Sequence, residues 1–180
     1  MRYICLVPIL CLLLTTSAQS QSSFWRDQRG KPVPETESMK SMNDFAGSLL
    51  ATIDKDWEKK WNTPPETKPN FNKAGVVSRG KNVFILTFFS NPLKNADGTA
   101  NVKCDFKITD PEGKTTLDQQ NMVCFAGKLA GSPYNLYLSA PVISFSGDPG
   151  DPSGIWVVDV NLRDENRNVA LPLRTTFQLK

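Results

Sequence analysis

The chain has 180 residues, of which 39% are hydrophobic and 22% are charged, and its formal net charge is +3. These values are typical of one globular domain with short appendages and argue against disorder throughout. The sequence contains no histidine, which excludes Ser-His-Asp and Cys-His catalysis and every zinc site that needs a histidine ligand. Lysines and acidic residues are interleaved, so the charge pattern gives no reason to expect binding of nucleic acid or an anionic membrane.

The first 20 residues have the three parts of a secretory signal peptide. A positive start at Arg2 is followed by an apolar run over 3–14 and a small, polar segment over 15–20. The apolar run is shorter than the roughly 20 residues that cross a bilayer as a helix. We therefore expect cleavage near Ala18 or Ser20, no transmembrane anchor, and a mature protein that is periplasmic or secreted.

Three segments are predicted before the second half of the chain. Residues 21–40 are polar and contain two prolines, which predicts a disordered tail. Residues 41–62 carry large apolar side chains at spacings of three and four, which predicts an amphipathic helix. These side chains are Met42, Phe45, Leu49, Ile53, Trp57 and Trp61. Residues 63–74 form a Pro-rich connector, since Pro64 and Pro65 stop the helix.

The aromatic row of this predicted helix is a candidate partner-binding surface. Phe45, Trp57 and Trp61 would lie along one face and serve as anchors in the groove of another protein. The alternative is that the helix folds back on its own sheet and buries these rings, because two exposed tryptophans promote aggregation of a free protein.

Residues 75–180 are predicted to form an antiparallel β-sandwich of about seven strands, in which apolar and polar residues alternate. The predicted strands cover 83–89, 102–109, 115–125, 134–140, 142–145, 156–163 and 169–179, where 134–140 and 142–145 are two short strands or one strand interrupted by Pro141. The first of these is apolar on both faces, as in a central strand. Pro172 cannot donate a hydrogen bond to a neighbour, so its end of the last strand should be an edge or a bulge. The fold class is all-β with one preceding helix.

Cys104 and Cys124 are the two cysteines left after removal of the leader. In an oxidising compartment, two cysteines have one possible pairing, and we predict a disulfide. Closing a loop of this length contributes roughly 3 kcal/mol in the chain-entropy model. A redox-active pair is the alternative, but it normally has the C-x-x-C spacing at the start of a helix.

The end of the chain resembles the terminal hairpin of immunoglobulin-like and fibronectin-type-III-like bacterial domains. The residues that carry the resemblance are 151–156, the alternating strand, the polar turn and 175–179. The whole layout is similar to small exported bacterial proteins of uncharacterised function, through the Arg79-Gly80-Lys81 segment and the Asp-Pro-x-Gly turn at 110–113. The resemblance implies an immunoglobulin-like fold and an exported bacterial setting, and it brings no active-site residues.

Two loops have enough oxygen side chains to be considered for calcium, namely 146–154 and 95–101. Each has few carboxylates, and the second departs from the EF-hand pattern, so turn geometry is the better interpretation. The remaining acidic residues fall at outward strand positions or in turns. We therefore expect no metal, no cofactor and no catalytic residue.

The resulting functional hypothesis is an exported, non-catalytic binding or assembly module that acts through protein-protein contacts. Its partner would be another envelope or secreted protein, or a second copy of the chain, bound through a sheet edge, a loop or the tryptophan-bearing helix. The alternative is a small-ligand or carbohydrate binder, in which Trp25, Trp57, Trp61, Tyr134 or Tyr137 stacks on a sugar. Exposed coplanar rings around a concavity would favour the ligand, and a flat apolar patch or an open sheet edge would favour the protein.

Overall fold

A computed structural model of the chain describes residues 24–27, 29–64 and 69–180. The predicted signal peptide lies outside these ranges. Within them the protein has ten strands and one five-residue helix. They are β1 (Met39–Met42), β2 (Phe45–Thr52), α1 (Trp57–Trp61), β3 (Val76–Val77), β4 (Asn82–Ser90), β5 (Ala100–Thr109), β6 (Thr115–Gly127), β7 (Tyr137–Leu138), β8 (Ile143–Ser146), β9 (Gly154–Asp164) and β10 (Val169–Leu179).

The strands form two five-stranded sheets. The first has the order β1-β2-β4, and both β7 and β8 pair with the far side of β4. The second has the order β3-β10-β9-β5-β6. All pairings are antiparallel except that of β3 with β10, which is parallel. The prediction of an all-β, sandwich-like fold is confirmed.

The core lies between the sheets and is built from alternate residues of the long strands. On β9 the buried row is Trp156, Val158, Val160 and Leu162, and on β10 it is Val169, Leu171, Leu173, Thr175, Phe177 and Leu179. These are the rows predicted from the period of two. The disulfide between Cys104 and Cys124 is present, with 5.8 Å between the Cα atoms, and both cysteines belong to the core cluster.

The prediction of an amphipathic helix over 41–62 is wrong for most of its length. Residues 45–52 form β2, which pairs along its whole length with β4, and the helix is limited to Trp57–Trp61. Phe45 and Leu49 are four residues apart, and this spacing puts two side chains on one face of a helix and equally on one face of a strand. Pairing of residues 46–52 with the apolar central strand β4 favours the strand, and packing of the inner row of β2 against the second sheet buries Phe45 and Leu49.

The sandwich therefore begins earlier than the predicted boundary at residue 75. Residues Asn43 and Asp44 have φ of 48° and 64°, the conformation of a type I′ turn, and they join β1 to β2 as a tight hairpin. The described part of the segment predicted to be a disordered tail contributes the first two residues of β1. Earlier in that segment the backbone N–H of Val33 donates to the carbonyl of Trp25 at 2.9 Å. The tail prediction is wrong for this part.

Gly47 lies in the middle of β2 and faces the second sheet. A Cβ atom at this position would come within 2.6 Å of Leu162 and within 3.1 and 3.2 Å of Leu171 and Leu173. These contacts are shorter than ordinary packing distances, so a larger residue here would require the leucine side chains of β9 and β10 to shift.

The described parts of the chain between β2 and β3, residues 53–64 and 69–75, pack on the outer face of the first sheet and are joined to each other by Asp54. The Asp54 carboxylate accepts hydrogen bonds from the backbone N–H and the side-chain amide of Asn72, at 2.8 and 2.7 Å. It also forms an ion pair with Lys60 at 2.9 Å. Burial by itself would raise the pKa of Asp54, but the bonds from Lys60 and Asn72 outweigh it and lower the pKa from 3.8 to about 2.

No helix in the described ranges is long and apolar enough to cross a membrane.

Candidate functional site

The edge strand β6 has the largest set of unused hydrogen-bonding groups on a regular element. It is 13 residues long and pairs with β5 on one side only. On its other side, within the described part of the chain, one backbone bond is formed, from the N–H of Ala140 to the carbonyl of Cys124 at 3.0 Å. The outward-directed peptide groups of the first part of β6, from Thr115 to Val123, therefore have no protein partner within the described residues.

The composition of β6 does not protect this edge. Natural proteins commonly place lysine or proline on exposed edge strands to prevent pairing with another chain. The residues of β6 include no lysine, arginine or proline, and a single charge, that of Asp118. Val123, near the end of the free stretch, has 56% of its surface exposed.

A bulge at Asn121 divides the edge into two parts. Asn121 has a φ of 57°, and the pairing register with β5 shifts beside it. Its backbone N–H donates to Asp105 at 2.8 Å, and Arg163 donates to its side-chain oxygen at 2.9 Å. Arg163 also pairs directly with Asp105 and, at 3.1 Å, with Glu165. A second register shift lies between Ile108 and Thr109, opposite Leu117 and Thr115, so the regularly paired part of the free edge is Leu117 to Gln119.

Electrostatics keep this bulge in place. Burial by itself would raise the pKa of Asp105, but the Asn121 N–H and the Arg163 guanidinium outweigh it, so the pKa lies below its usual value. The carboxylate is therefore charged at neutral pH and continues to hold Asn121. Beyond the bulge, the disulfide joins β6 covalently to β5. The edge is consequently held in one conformation before any partner arrives.

The side chains of the free edge form two rows of different chemistry. Leu117 is opposite Ile108 and Gln119 is opposite Phe106, so this row continues the core side of the sheet. Asp118 is opposite Lys107 on the outer side. Asp118 accepts a hydrogen bond from the amide of Gln120 and forms no ion pair with any described residue. A strand added here would meet Leu117 and Gln119 on one face and the Asp118 carboxylate on the other.

The predicted partner-binding residues do not form one surface. Phe45 is completely buried in the core, since it lies on the inner row of β2. Trp57 and Trp61 pack on the outer face of their own sheet, with ring centroids 6.2 Å from Phe84 and 5.2 Å from Phe88. Phe45 is therefore a core residue, and the two tryptophans follow the alternative in which they cover their own sheet.

A groove of about 370 Å³ lies beside these rings on the outer face of the first sheet. Its apolar lining consists of Met39, Leu49, Leu50, Trp61, Pro69, Phe71, Phe88 and Leu136. The rings of Phe71 and Trp61 are tilted by 39° and 43° to that of Phe88. The groove is thus a concave apolar surface without a flat platform of parallel rings.

The other aromatic residues considered for stacking on a sugar are dispersed. Tyr134 is 68% exposed and stacks on Phe24, whose ring is edge-on to that of Trp25. Tyr137 stacks on Phe89 in the interior, and burial raises the pKa of its hydroxyl. The structure does not bring Tyr134 and Tyr137 together as a pair.

The two oxygen-rich loops use their carboxylates to build turns. Asp151 accepts a bond from the backbone N–H of Asp148 at 2.8 Å, and the oxygens of Asn95 and Asp97 both accept from the N–H of Thr99 at 2.9 Å. Across the residues that the structure describes, no group of three or more cysteines, aspartates or glutamates is arranged to hold a metal ion.

Comparisons with known proteins do not assign the chain to a family. It matches no protein-family model and no curated protein. One similar structure is a family 123 glycoside hydrolase from Clostridium perfringens, an enzyme of glycolipid glycan hydrolysis, with 9% identity and a TM-score of 0.47. The match covers 76% of this chain and 27% of the hydrolase, so the chain spans about a quarter of that protein.

A second similar structure is a Niemann-Pick type C2 protein from the Japanese carpenter ant. It has 10% identity and a TM-score of 0.32, and the match covers 74% of this chain and 89% of the ant protein. At these levels of similarity neither structure carries an argument about function.

Sequence reasoning did not single out β6 as the site. The strand itself was predicted at 115–125, and the absence of lysine and proline from it was visible. That it lies at an edge depends on the order of strands in the sheet, which local periodicity does not specify.

Proposed function

We propose that the protein is an exported, non-catalytic binding module that takes an extended segment of another envelope or secreted protein onto the free edge of β6. The observation that supports this most directly is the free edge over Thr115–Gln120, whose outward peptide groups have no partner among the described residues while its conformation is held by the disulfide and the Asn121 bulge.

The physical basis is the addition of a strand to a sheet. Backbone hydrogen bonds supply affinity, and the side chains on the two faces supply specificity. The partner strand would place apolar side chains beside Leu117 and a lysine or arginine beside Asp118, since opposite charges across a strand pair are favourable. Because β6 is already ordered, binding does not require loss of its conformational freedom.

The finer description of the fold belongs to the same proposal. The arrangement β2-β4-β8 against β10-β9-β5-β6, with a short strand β3 parallel to the last strand, supports an immunoglobulin-like type. The disulfide supports maturation in an oxidising compartment, in agreement with the signal peptide inferred from the sequence. We place the mature protein in the periplasm or outside the cell.

A protein partner is favoured over a carbohydrate by the two surfaces that the fold provides. Sugar recognition by stacking needs exposed rings with a common plane, whereas the rings near Phe88 are tilted. Recognition by strand addition at an open edge requires only that the partner supply an extended peptide segment.

The experiment that tests this proposal is site-specific photo-crosslinking in living cells. A photoreactive amino acid at Gln120 should give a crosslinked product with one partner protein, whereas the same group at Gln178, an exposed glutamine on the covered end of β10, should not. Hydrogen exchange with the purified partner should then slow at amides of Thr115–Gln120.

The matched variants are Thr116→Lys with Gln120→Lys on β6, and Thr176→Lys with Gln178→Lys on β10. Each pair adds two positive charges to an exposed strand face, and only the first adds them to a free edge. Loss of the partner in the first pair alone is the expected result. Equal crosslinking from both sites, protection of a different region, or a crosslink only to a second copy of this chain would contradict the proposal.

A further inference from the structure

A second site lies on the outer face of the first sheet, away from β6. The groove described above has a floor of Leu50 and Phe88, and its walls include Trp61, Phe71 and Leu136. Its volume of about 370 Å³ falls within the range of small-molecule sites, which are concave and mostly apolar and contain a few placed polar groups. An apolar molecule of modest size fits this groove.

The groove continues into a polar cavity. A neighbouring space of about 400 Å³ is lined by Glu37, Arg174, Thr175 and Thr176. Thr36, Ser38 and Lys73 line both spaces, so the two adjoin at these residues. A ligand that occupies both must therefore be amphiphilic, with its polar group near this boundary.

The charges at the boundary indicate the sign of that polar group. The Nε atom of Arg174 donates to Asp159 at 2.6 Å, and the nearby Glu37 raises the pKa of the same guanidinium further. Arg174 is thus already compensated by acidic groups. Lys73 is exposed and forms no ion pair with any residue in the described ranges. Among the residues that line both spaces, Lys73 is the only charged one; Glu37 lines the second space alone. The hydroxyls of Thr36 and Ser38, which are 3.3 Å apart, lie at the same boundary.

We propose that this groove binds a long-chain monocarboxylate. Its hydrocarbon chain would lie against Leu50, Trp61 and Phe88, and its carboxylate would accept hydrogen bonds from Lys73 and the adjacent hydroxyls. A single unpaired ammonium matches a single negative charge. The inference is independent of the β6 edge, since no residue of β6 lines either space.

The test is a calorimetric titration of the purified protein with dodecanoate below its micelle concentration. We expect saturable binding that is at least about tenfold tighter than that of dodecylammonium, since the chains are identical and only the charge differs. Lys73→Gln should weaken dodecanoate binding at least about fivefold and change the affinity for dodecan-1-ol less than about twofold. Lys94→Gln, an exposed lysine outside the groove, is the matched control.

A second measurement locates the chain. 12-Bromododecanoate should quench tryptophan fluorescence, and the quenching should fall in Trp61→Phe and persist in Trp25→Phe, because Trp61 alone of these two lines the groove. Each of three results would overturn the proposal: no saturable binding of dodecanoate, equal affinity for dodecylammonium, or unchanged dodecanoate affinity in Lys73→Gln. None of them bears on the crosslinking at β6, so the two proposals fail separately.

Discussion

The outer faces of the two sheets differ in polarity and in their exposure to water. On the first sheet, Phe84 and Phe88 point away from the core and pack against Trp57 and Trp61. These tryptophans belong to the described chain between β2 and β3 (53–64 and 69–75), here called the cover. On the second sheet, the outward residues of β5 and β9 include several charged side chains that form ion pairs, among them Arg163 with Asp105 and Lys107 with Asp159. An apolar outer face requires additional chain to cover it, whereas a charged one remains in water.

The largest expected effect comes from weakening the covered face. Phe88→Ala should destabilise the protein by about 3 kcal/mol, because the ring is buried and packs against both Trp61 and Phe71. The measurement is the free energy of unfolding from chemical denaturation. A loss below about 1 kcal/mol would show that the cover is loosely packed. The apolar face would then contribute no more to the free energy of unfolding than the charged face.

The next effect concerns the Asp54 carboxylate, which binds Lys60 and Asn72 in the two described parts of the cover. Since the folded-state pKa of Asp54 is lowered from 3.8 to about 2, its contribution is fully present above pH 4 and is lost as the pH falls from about 4 to about 2. We expect about 1 to 2 kcal/mol for this contribution, allowing for partial access of water.

The measurement is the free energy of unfolding of the native protein and of Asp54→Asn at a series of pH values. The variant should be less stable at pH 7, and the difference should shrink towards pH 2. A constant difference would show that the cover is not held by the charge of Asp54.

On the charged face, the largest effect should come from the pair at the bulge. Asp105→Asn keeps an acceptor for the N–H of Asn121 but removes the charge that faces Arg163, so we expect a loss of about 1 kcal/mol. Amide exchange at Asn121 should become faster. If exchange there is unchanged, hydrogen bonding rather than charge holds the bulge.

The smallest effect should come from an exposed ion pair on the same face. The Lys107 ammonium is 4.0 Å from the Asp159 carboxylate, and nearly half of the lysine side chain is accessible. Lys107→Ala should change the free energy of unfolding by less than about 0.5 kcal/mol. A loss comparable to that of Phe88→Ala would show that the two faces contribute alike.

The sequence was informative about the second half of the fold because period-two patterns there are long and free of alternatives. The inner rows of β9 and β10 and the pairing of Cys104 with Cys124 were predicted from alternation and cysteine number. The short strands around Pro141 and the two-residue strand β3 carry too few residues for a pattern.

The helix predicted over 41–62 is wrong for most of its length because a spacing of four residues fits both a helix and a strand. The informative signals were Asn43-Asp44, a dipeptide suited to a type I′ hairpin turn, and Gly47, which is unfavourable inside a helix. Neither candidate site followed from the sequence alone. The β6 edge depends on strand order, and the groove depends on residues from six separate parts of the chain that meet only after folding.

Gly47 has a consequence for the alignment of the two layers. Leu162, Leu171 and Leu173 of the second sheet occupy the space that a side chain at this position would need. The resulting notch fits the leucines in one position, so it opposes sliding of one sheet over the other. The β6 edge and the outer groove belong to different sheets. Their relative placement thus depends partly on the absence of a side chain at Gly47.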